Sequence, residues 1–454
     1  MNNACPNKTL TLGAEADSLP ATGTFSQVCR GRGTWKVVTT TLALLAVCVG
    51  LSTLVRAQTP PATPATDQAK PADQSAPAAP TPTPAAALPT PAITGPVSGV
   101  PPLIFDAGPF GKIAVNGIVT GFGQVQGNHV PGDRVGQADL SNGEAWIQKT
   151  DGWFQFYVQA GAYNLPSLAV PYASTVSTMT NLYGPVPVAF VKLQAAKNTS
   201  ILIGELPTLI GAEYTFTFEN MNIERGLLWN QENAVTRGIQ LNQTMGKFTA
   251  SFSWNDGFYS NRYNWLSGSL AYANGPHAIS FVAGGNFNPT PYLGTATPIQ
   301  NDGSIYNVIY TYTKGPWIIQ PYFQYSSVPT NVKIGIAKGA TTQGEAILLS
   351  HAFKHGFSLA GRGEYISSTG SAAQNSVNLL FGPGSSGTSV TATPTFQYGG
   401  FYIRGEFSWV HAMDFASTPT AGSAFGMTGI KANQPRVMAE IGFIFGNNLI
   451  EKKP

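Results

Sequence analysis

The stretch TATPTFQYGGFYIRGEFSWVHA, Thr391 to Ala412, reads as two β-strands joined by a Gly-Gly turn. In the second strand the odd-numbered positions from 401 to 409 are Phe, Ile, Gly, Phe and Trp, and the even-numbered positions between them are Tyr, Arg, Glu and Ser. Because successive side chains of a strand point to opposite faces, one face is apolar and the other carries Arg404 and Glu406. The fold depends on the medium that each face contacts.

The same alternation recurs along the chain from Lys112 onward, with almost no helical periodicity. Positions 154, 156 and 158 are Phe, Phe and Val, opposite Gln155 and Gln159, and the run from 436 to 445 sets Arg436 and Glu440 against apolar residues. Aromatic residues near the ends of such runs are typical of the two interfacial girdles of a membrane barrel; these are Trp153, Trp254, Trp265, Trp317 and Trp409.

The connections between these runs alternate in length. Seven tight turns, near residues 151, 198, 246, 275, 315, 355 and 399, alternate with eight longer segments rich in Gly, Asn, Pro and Ser. We therefore predict an all-β fold, a transmembrane antiparallel up-and-down β-barrel of about 16 strands, with the short turns on the periplasmic side. A β-sandwich also alternates, but its long loops need not lie at one end.

Composition agrees with a protein that faces lipid. Only 10% of the 454 residues are charged, against about 25% in a typical soluble domain. The 25 Lys and Arg residues against 22 Asp and Glu give a formal charge of only +3, which argues against a nucleic-acid partner.

The N-terminal region predicts export. Residues 1–57 form a signal peptide with a long basic n-region, an apolar stretch from Val37 to Val55, and cleavage after Ala57. An uncleaved membrane anchor is the alternative. The three cysteines, Cys5, Cys29 and Cys48, all precede the cleavage site, so the mature chain would retain none.

The remaining boundaries follow from composition. Residues 58–104 form a disordered Pro/Ala-rich periplasmic linker, since 13 of the 44 residues from Thr59 to Pro102 are proline. Residues 105–445 form the outer-membrane β-barrel, and residues 446–454 are a C-terminal extension that follows the aromatic Phe445.

Two stretches resemble a known family. One is ILIGELPTLIGAEYTFTFENMNIERGLLWNQENAVTRGIQL, residues 201–241, with its Gly-Ala-Glu step and Asn-rich aromatic loop; the other runs from residue 387 through TPTFQYGGFYIRGEFSWV to NQPRVMAEIGFIF. Both resemble the OmpL-like β-barrel porins of Gram-negative bacteria. The resemblance implies a porin-like barrel in the bacterial outer membrane whose substrate is unassigned.

The longest connection, Pro207 to Asn233, is too long for a tight loop and too apolar to be fully solvated. We predict that part of it folds inward and narrows the pore. From Glu205 to Glu232 it carries five Glu against one Arg, a sum of −5 + 1 = −4. An acidic constriction opposite lumenal arginines would favour cations modestly. The alternative is that these charges pair and hold the loop against the wall. The candidate constriction and lumen residues are Glu205, Glu213, Glu219, Glu224, Arg225, Glu232, Arg237, Arg362, Glu364, Arg404, Glu406, Arg436 and Glu440.

No enzymatic, metal or cofactor site is expected. The histidine pair His351 and His355 would stand about 13 Å apart on a strand, too far to share a metal. The glycine-rich run GKIAVNGIVTGFGQ opens a strand and lacks the following helix of a phosphate-binding loop.

We thus expect a porin that allows passive diffusion of small hydrophilic solutes or ions. A non-conducting outer-membrane barrel that acts as an adhesin or envelope anchor is the main alternative, and a soluble secreted β-sandwich that binds carbohydrate is a third. The expected partners are outer-membrane lipid, lipopolysaccharide phosphates at Lys333 and Lys338, the solutes, and the barrel-assembly machinery. A homotrimer is a further possibility, although no flat patch of small residues is evident in the sequence.

Overall fold

The computed structural model of the protein describes residues 91–93, 95–289, 298–415 and 424–449, and the description below concerns those residues. They form seventeen β-strands in one sheet, one α-helix and several 3-10 turns. The strands are β1 (Leu103–Asp106), β2 (Lys112–Gln126), β3 (Gly136–Lys149), β4 (Phe154–Tyr163), β5 (Val188–Ala196), β6 (Thr199–Pro207), β7 (Val235–Met245), β8 (Phe248–Asn255), β9 (Trp265–Asn274), β10 (His277–Asn286), β11 (Ser304–Lys314), β12 (Trp317–Val328), β13 (Ala340–Ala352), β14 (Phe357–Ser368), β15 (Ser386–Tyr398), β16 (Phe401–Met413) and β17 (Asn433–Phe445). The helix is α1 (Thr175–Asn181), and the 3-10 helices are Gly108–Phe110, Thr217–Glu219, Trp229–Gln231, Ile299–Asp302, Val332–Ile334, Ala372–Gln374 and Asn447–Leu449.

Strands β2 to β17 form a closed antiparallel barrel of sixteen strands. Each pairs with the next along the chain, and β17 returns to pair with β2, with Phe443 opposite Val119. The predicted fold class is therefore confirmed. Closure leaves no unpaired sheet edge, which a bilayer would not tolerate because lipid supplies no hydrogen-bond partners.

The predicted alternation of connections is also observed. Short turns join β3 to β4, β5 to β6 and each later odd-numbered strand to its successor, whereas the connections at the opposite end are longer. Four of the turns use a glycine with φ near +60°: Gly246, Gly275, Gly315 and Gly399. This left-handed conformation suits the tight hairpins because glycine has no Cβ to clash.

The two faces of the wall follow the predicted parity. In β16 the side chains of Phe401, Ile403 and Phe407 point outward and are 38–50% exposed, whereas Arg404 and Glu406 point inward and are 0% and 3% exposed. Outward apolar side chains suit contact with hydrocarbon, because an outward Arg at the bilayer midplane would cost about 2–4 kcal/mol. In the parts of the chain described above, no helix is long and apolar enough to cross a membrane.

The N-terminal end of the described chain packs against the barrel. Strand β1 pairs with residues 112–115 of β2, on the edge that β17 leaves free beyond Phe445. Residues 91–93 and 95–104 fall within the linker predicted to be disordered, yet Val97 is only 1% exposed. This part of the linker is ordered because its apolar side chain and backbone polar groups find partners inside the barrel mouth. Residues 58–90, like the predicted signal peptide 1–57, lie outside the described residues.

Candidate pore constriction

The long connection between β6 and β7, residues 208–234, is here named the inward segment because it lies inside the barrel. Its apolar side chains Phe216, Phe218, Leu227 and Leu228 are all at most 1% exposed. Burial of such side chains out of water is the main favourable term for placing the loop in the lumen.

The inward segment crosses the lumen from one side of the wall to the other. At one end the Phe218 ring stacks on Trp146 of β3 with centroids 5.8 Å apart, and the Phe216 ring meets Tyr163 of β4 edge-on. At the other end Leu227 and Leu228 belong to the apolar cluster that contains Ile305, Tyr322 and Ile366 of β11, β12 and β14. Aromatic and aliphatic contacts therefore anchor both ends of the segment.

Between these anchors Arg404 holds the backbone of the inward segment. Its guanidinium donates to the carbonyl oxygens of Thr217, Asn220 and Met221, at 3.0, 3.1 and 2.7 Å. It also pairs with Glu440 of the neighbouring strand at 3.5 Å. One wall arginine thus satisfies three carbonyl groups that an irregular segment cannot pair within itself.

Two carboxylates of the wall accept hydrogen bonds from backbone N–H groups of the inward segment. Glu406 accepts from the backbone N–H of Ile223 and Glu224, at 2.5 and 3.0 Å. Glu364 accepts from the backbone N–H of Leu227 and Leu228, at 3.0 and 3.3 Å. Charge-assisted bonds of this kind are the stronger class of hydrogen bond, so the wall determines the path of the loop.

The carboxylates of the inward segment pair with arginines of the wall. Glu213 contacts Arg362 at 2.6 Å, and Arg362 also donates to the carbonyl of Glu224 and contacts Glu364 at 3.2 Å. The side chain of Glu224 contacts Arg436. All of these side chains are at most 3% exposed. Because a buried charge without a partner is costly, the pairs hold segment and wall together in one arrangement.

Three further charged groups belong to the inward segment. The Glu219 carboxylate accepts from the backbone N–H of Phe216 and of Ala92, and burial raises its pKa to about 7. Among the described residues, the carboxylate oxygens of Glu232 and the guanidinium nitrogens of Arg225 have no hydrogen-bond partner. Burial raises the pKa of Glu232 well above its usual value and lowers the pKa of Arg225 to about 10.

Two residues of the predicted constriction lie outside its network of ion pairs. Glu205 and Arg237 are direct neighbours across β6 and β7, on the outward parity of Ile203 and Ile239, at the loop ends of these strands. Arg237 pairs with Asp256 at 3.0 Å. Both residues also contact Tyr259, since the Glu205 carboxylate accepts from its hydroxyl at 2.7 Å and the Arg237 guanidinium lies 3.7 Å from its ring centroid. The prediction assigned both residues by charge alone. All other predicted site residues lie in the inward segment or on the inner wall.

Sequence reasoning missed several polar groups of the inner wall. Glu144 is 4% exposed and accepts from the Gln159 side chain at 2.9 Å. Gln126 is 2% exposed and accepts from Arg436. Their parity along β2, β3 and β4 was the available signal, because inward polar residues recur at every second position there.

The inward segment closes the lumen at its own height. Arg404 and Glu406 of the wall are no more than 3% exposed, so the segment covers both side chains in this arrangement. A cavity of about 260 Å³ lies on one side of the segment and is bounded in part by Phe190, Glu213, Glu219 and Gln240. A second cavity of about 370 Å³ is bounded in part by Trp229, Glu232, Tyr259 and Arg436. Across the four described ranges, no three His, Cys, Asp or Glu side chains are grouped to hold a metal ion.

Comparison with known proteins agrees with this architecture. The model of the protein family described as "Putative beta-barrel porin-2, OmpL-like" matches residues 112–445. An anion-selective porin from Comamonas acidovorans has a similar solved structure, with 12% identity, a TM-score of 0.51 and coverage of 73% of this chain and 99% of that chain. The outer membrane channel DcaP of Acinetobacter baumannii is also similar, with 10% identity, a TM-score of 0.49 and coverage of 73% and 97%. No curated protein sequence matches the chain. At 12% identity the structure of the Comamonas porin supports the barrel fold alone.

Proposed function

Because this chain belongs to the OmpL-like β-barrel porin family and is a bacterial outer-membrane protein, we propose that it mediates passive diffusion of small hydrophilic solutes or ions. The inward segment is the constriction of this pathway. The observation that carries the proposal is the polar character of the inner wall around the segment, where Arg362, Arg404 and Arg436 alternate with carboxylates. A sixteen-stranded barrel is wide enough for an aqueous channel once this constriction moves aside.

The proposed pathway favours cations. The charged groups that meet at the constriction are seven carboxylates and four guanidinium groups, which sum to 4 − 7 = −3 when all are ionised. Rings of carboxylates favour cations in pores. The acidic groups are Glu213, Glu219, Glu224, Glu232, Glu364, Glu406 and Glu440, and the basic groups are Arg225, Arg362, Arg404 and Arg436.

Reversal potentials in a planar bilayer test this selectivity. A variant with Glu213→Gln and Glu219→Gln should show a weaker cation preference, because both carboxylates border the same cavity beside the segment. Glu345→Gln is the matched control, because Glu345 is exposed on the outer face of β13 opposite Phe323, and it should leave the reversal potential unchanged. An unchanged potential in the double variant would refute the role of the inward segment in selection.

A non-conducting barrel that serves as an adhesin or envelope anchor is the second candidate. The observation in its favour is the closure of the lumen, since the guanidinium groups of Arg362 and Arg404 are fully buried. Single-channel recording of the purified protein separates the two candidates. Discrete conductance steps support the porin, and their absence in both the native chain and variants with a loosened inward segment supports the anchor.

The partner proposals concern the outside of the barrel. Lys333 and Lys338 are exposed in the connection between β12 and β13, where they could contact lipopolysaccharide phosphates. For a homotrimer, the outer face offers small residues that are paired across strands, namely Gly405 with Ala439 and Ala439 with Gly123. Mass measurement in detergent before and after Gly405→Trp tests this interface, since a wall unrelated to assembly would keep its oligomeric state.

A further inference from the structure

Residues 95–102 of the predicted linker enter the short-turn mouth of the barrel, and they are named here the strap. Val97 is 1% exposed and belongs to the apolar cluster that includes Ile118, Tyr402 and Ile444 of the inner wall. The strap therefore inserts the Val97 side chain into the lumen.

Hydrogen bonds fasten the strap to separate parts of the mouth. The backbone N–H of Ser98 donates to the Gln397 side chain at 2.7 Å, and the same amide side chain donates back to the Ser98 carbonyl at 2.8 Å. The Asn116 side chain donates to the Val100 carbonyl at 3.1 Å. The backbone N–H of Asn447, just beyond β17, donates to the Pro101 carbonyl at 2.8 Å.

The strap and Ala92, three residues before it, also contact the inward segment. The backbone N–H of Ala92 donates to the Glu219 carboxylate at 2.9 Å. Gly95 lies against the peptide that joins Asn220 to Met221, where an added Cβ would stand 2.5 Å from the Asn220 carbonyl oxygen. That same carbonyl accepts from Arg404. The strap thus contacts the same peptide group of the inward segment that Arg404 of the wall binds.

We propose that the strap is a built-in closure that pins the inward segment and shuts the short-turn mouth of the pore. This inference rests on the proposed pore function, because a closure matters only if the barrel conducts. Proline at 96, 101 and 102 restricts the unfolded chain and so lowers the entropy cost of seating the strap.

A pair of glycine substitutions tests the closure. Gly95→Ala places a methyl group against the Asn220 carbonyl, whereas Gly99→Ala meets only the Ile93 side chain at an ordinary 3.5 Å and is the matched control. Gly95→Ala should displace the strap, and Gly99→Ala should not. Both are made in the full-length chain with Cys5, Cys29 and Cys48 changed to Ser.

Two measurements distinguish displacement of the strap from opening of the pore. The first is the rate at which a polar maleimide labels Val97→Cys, which should rise roughly ten- to hundredfold with Gly95→Ala, since overpacking of this kind shifts an equilibrium by one or two factors of ten. The second is open probability in a planar bilayer, which should rise in the same variant. A disulfide between Ser98→Cys and Gln397→Cys should lower open probability until it is reduced.

The outcomes distinguish the two proposals. If labelling accelerates while the native chain and Gly95→Ala both conduct with equal open probability, the strap is not the closure of the pore. If labelling accelerates and no variant conducts, including one whose inward segment is released by Arg404→Met, the pore function itself fails. If Gly95→Ala leaves the labelling rate unchanged, the strap does not bear on the inward segment and the inference is overturned.

Discussion

Replacement of Arg404 by Met should release the middle of the inward segment. Arg404 donates to the carbonyl groups of Thr217, Asn220 and Met221 and faces Glu440. Methionine has a similar length and no donor, so three buried carbonyls and one carboxylate lose this partner. Glu440 keeps its bond from the Thr217 hydroxyl at 2.7 Å, which limits the loss.

The magnitude follows from the burial of this group. The side chains of Arg404 and Glu440 are both fully buried, and removal of one partner from a buried ion pair costs about 3–5 kcal/mol. Because each 1.4 kcal/mol is a factor of ten, local opening should become about two to four orders of magnitude more frequent. The barrel should still assemble, since the substitution leaves the backbone ladders of β15, β16 and β17 intact.

Hydrogen exchange of the reconstituted protein measures this opening. Amides of residues 216–224 should lose protection by the stated factor, while amides of β16 remain protected. Arg237→Met is the matched control, because its guanidinium pairs with Asp256 and donates to the Tyr259 carbonyl, both outside residues 216–224. Unchanged protection in the Arg404→Met segment, or equal loss in the control, would refute the reasoning.

Three further predictions concern pH, the wall and the lipid face. Burial raises the pKa of Glu219 from 4.5 to about 7, so its contribution to segment stability is complete below about pH 4.5 and is lost as the pH rises through 7. Corrected exchange of the segment should accelerate from pH 5 to 8, and Glu219→Gln should weaken this dependence and leave the part that Glu232 contributes. Gly204 has φ +140° and lies against the Ala189 carbonyl, so Gly204→Ala should lower the fraction of protein that migrates as the folded barrel on gels of unheated samples. Gly123→Ala should not lower it, because the nearest atom would be 3.9 Å from the added Cβ. Phe407→Arg, at the middle of β16, should cost about 2–4 kcal/mol in urea unfolding and Phe401→Arg, at its end, about 0–1 kcal/mol; equal costs would contradict the lipid-facing assignment.

Sequence patterns that are local in the chain predicted the strands of the barrel wall and the direction of their side chains. Period-two alternation in β16 assigned Phe407 outward and Arg404 inward, and the sequence of short and long connections gave the strand number, because both are set by covalent geometry and turn chemistry. The inward direction of residues 208–234 was also predicted, since a long apolar loop must bury its side chains. Charge alone did not locate Glu205 and Arg237, which contact Tyr259 at the loop ends of β6 and β7 and do not join the ion pairs of the constriction.

Contacts between distant parts of the chain were beyond sequence reasoning. Glu213 and Arg362 are 149 residues apart, and which arginine meets which carboxylate depends on barrel closure and strand register. The strap was missed for a different reason. A proline- and alanine-rich composition favours an extended, solvated chain, and only the shape of the mouth provides partners for Val97 and Ser98.

The central claim is that residues 208–234 lie inside the barrel and are held by its wall, and one cross-link tests it directly. The Asn222 side chain donates to the Thr393 hydroxyl of β15 at 2.7 Å, across 171 residues of sequence. With Asn222→Cys and Thr393→Cys in a chain free of other cysteines, oxidation of intact cells should join the two sites in high yield, and neither single variant should react with an impermeant maleimide. Failure to cross-link, together with labelling of Asn222→Cys at the cell surface, would place the segment outside the lumen and contradict the account.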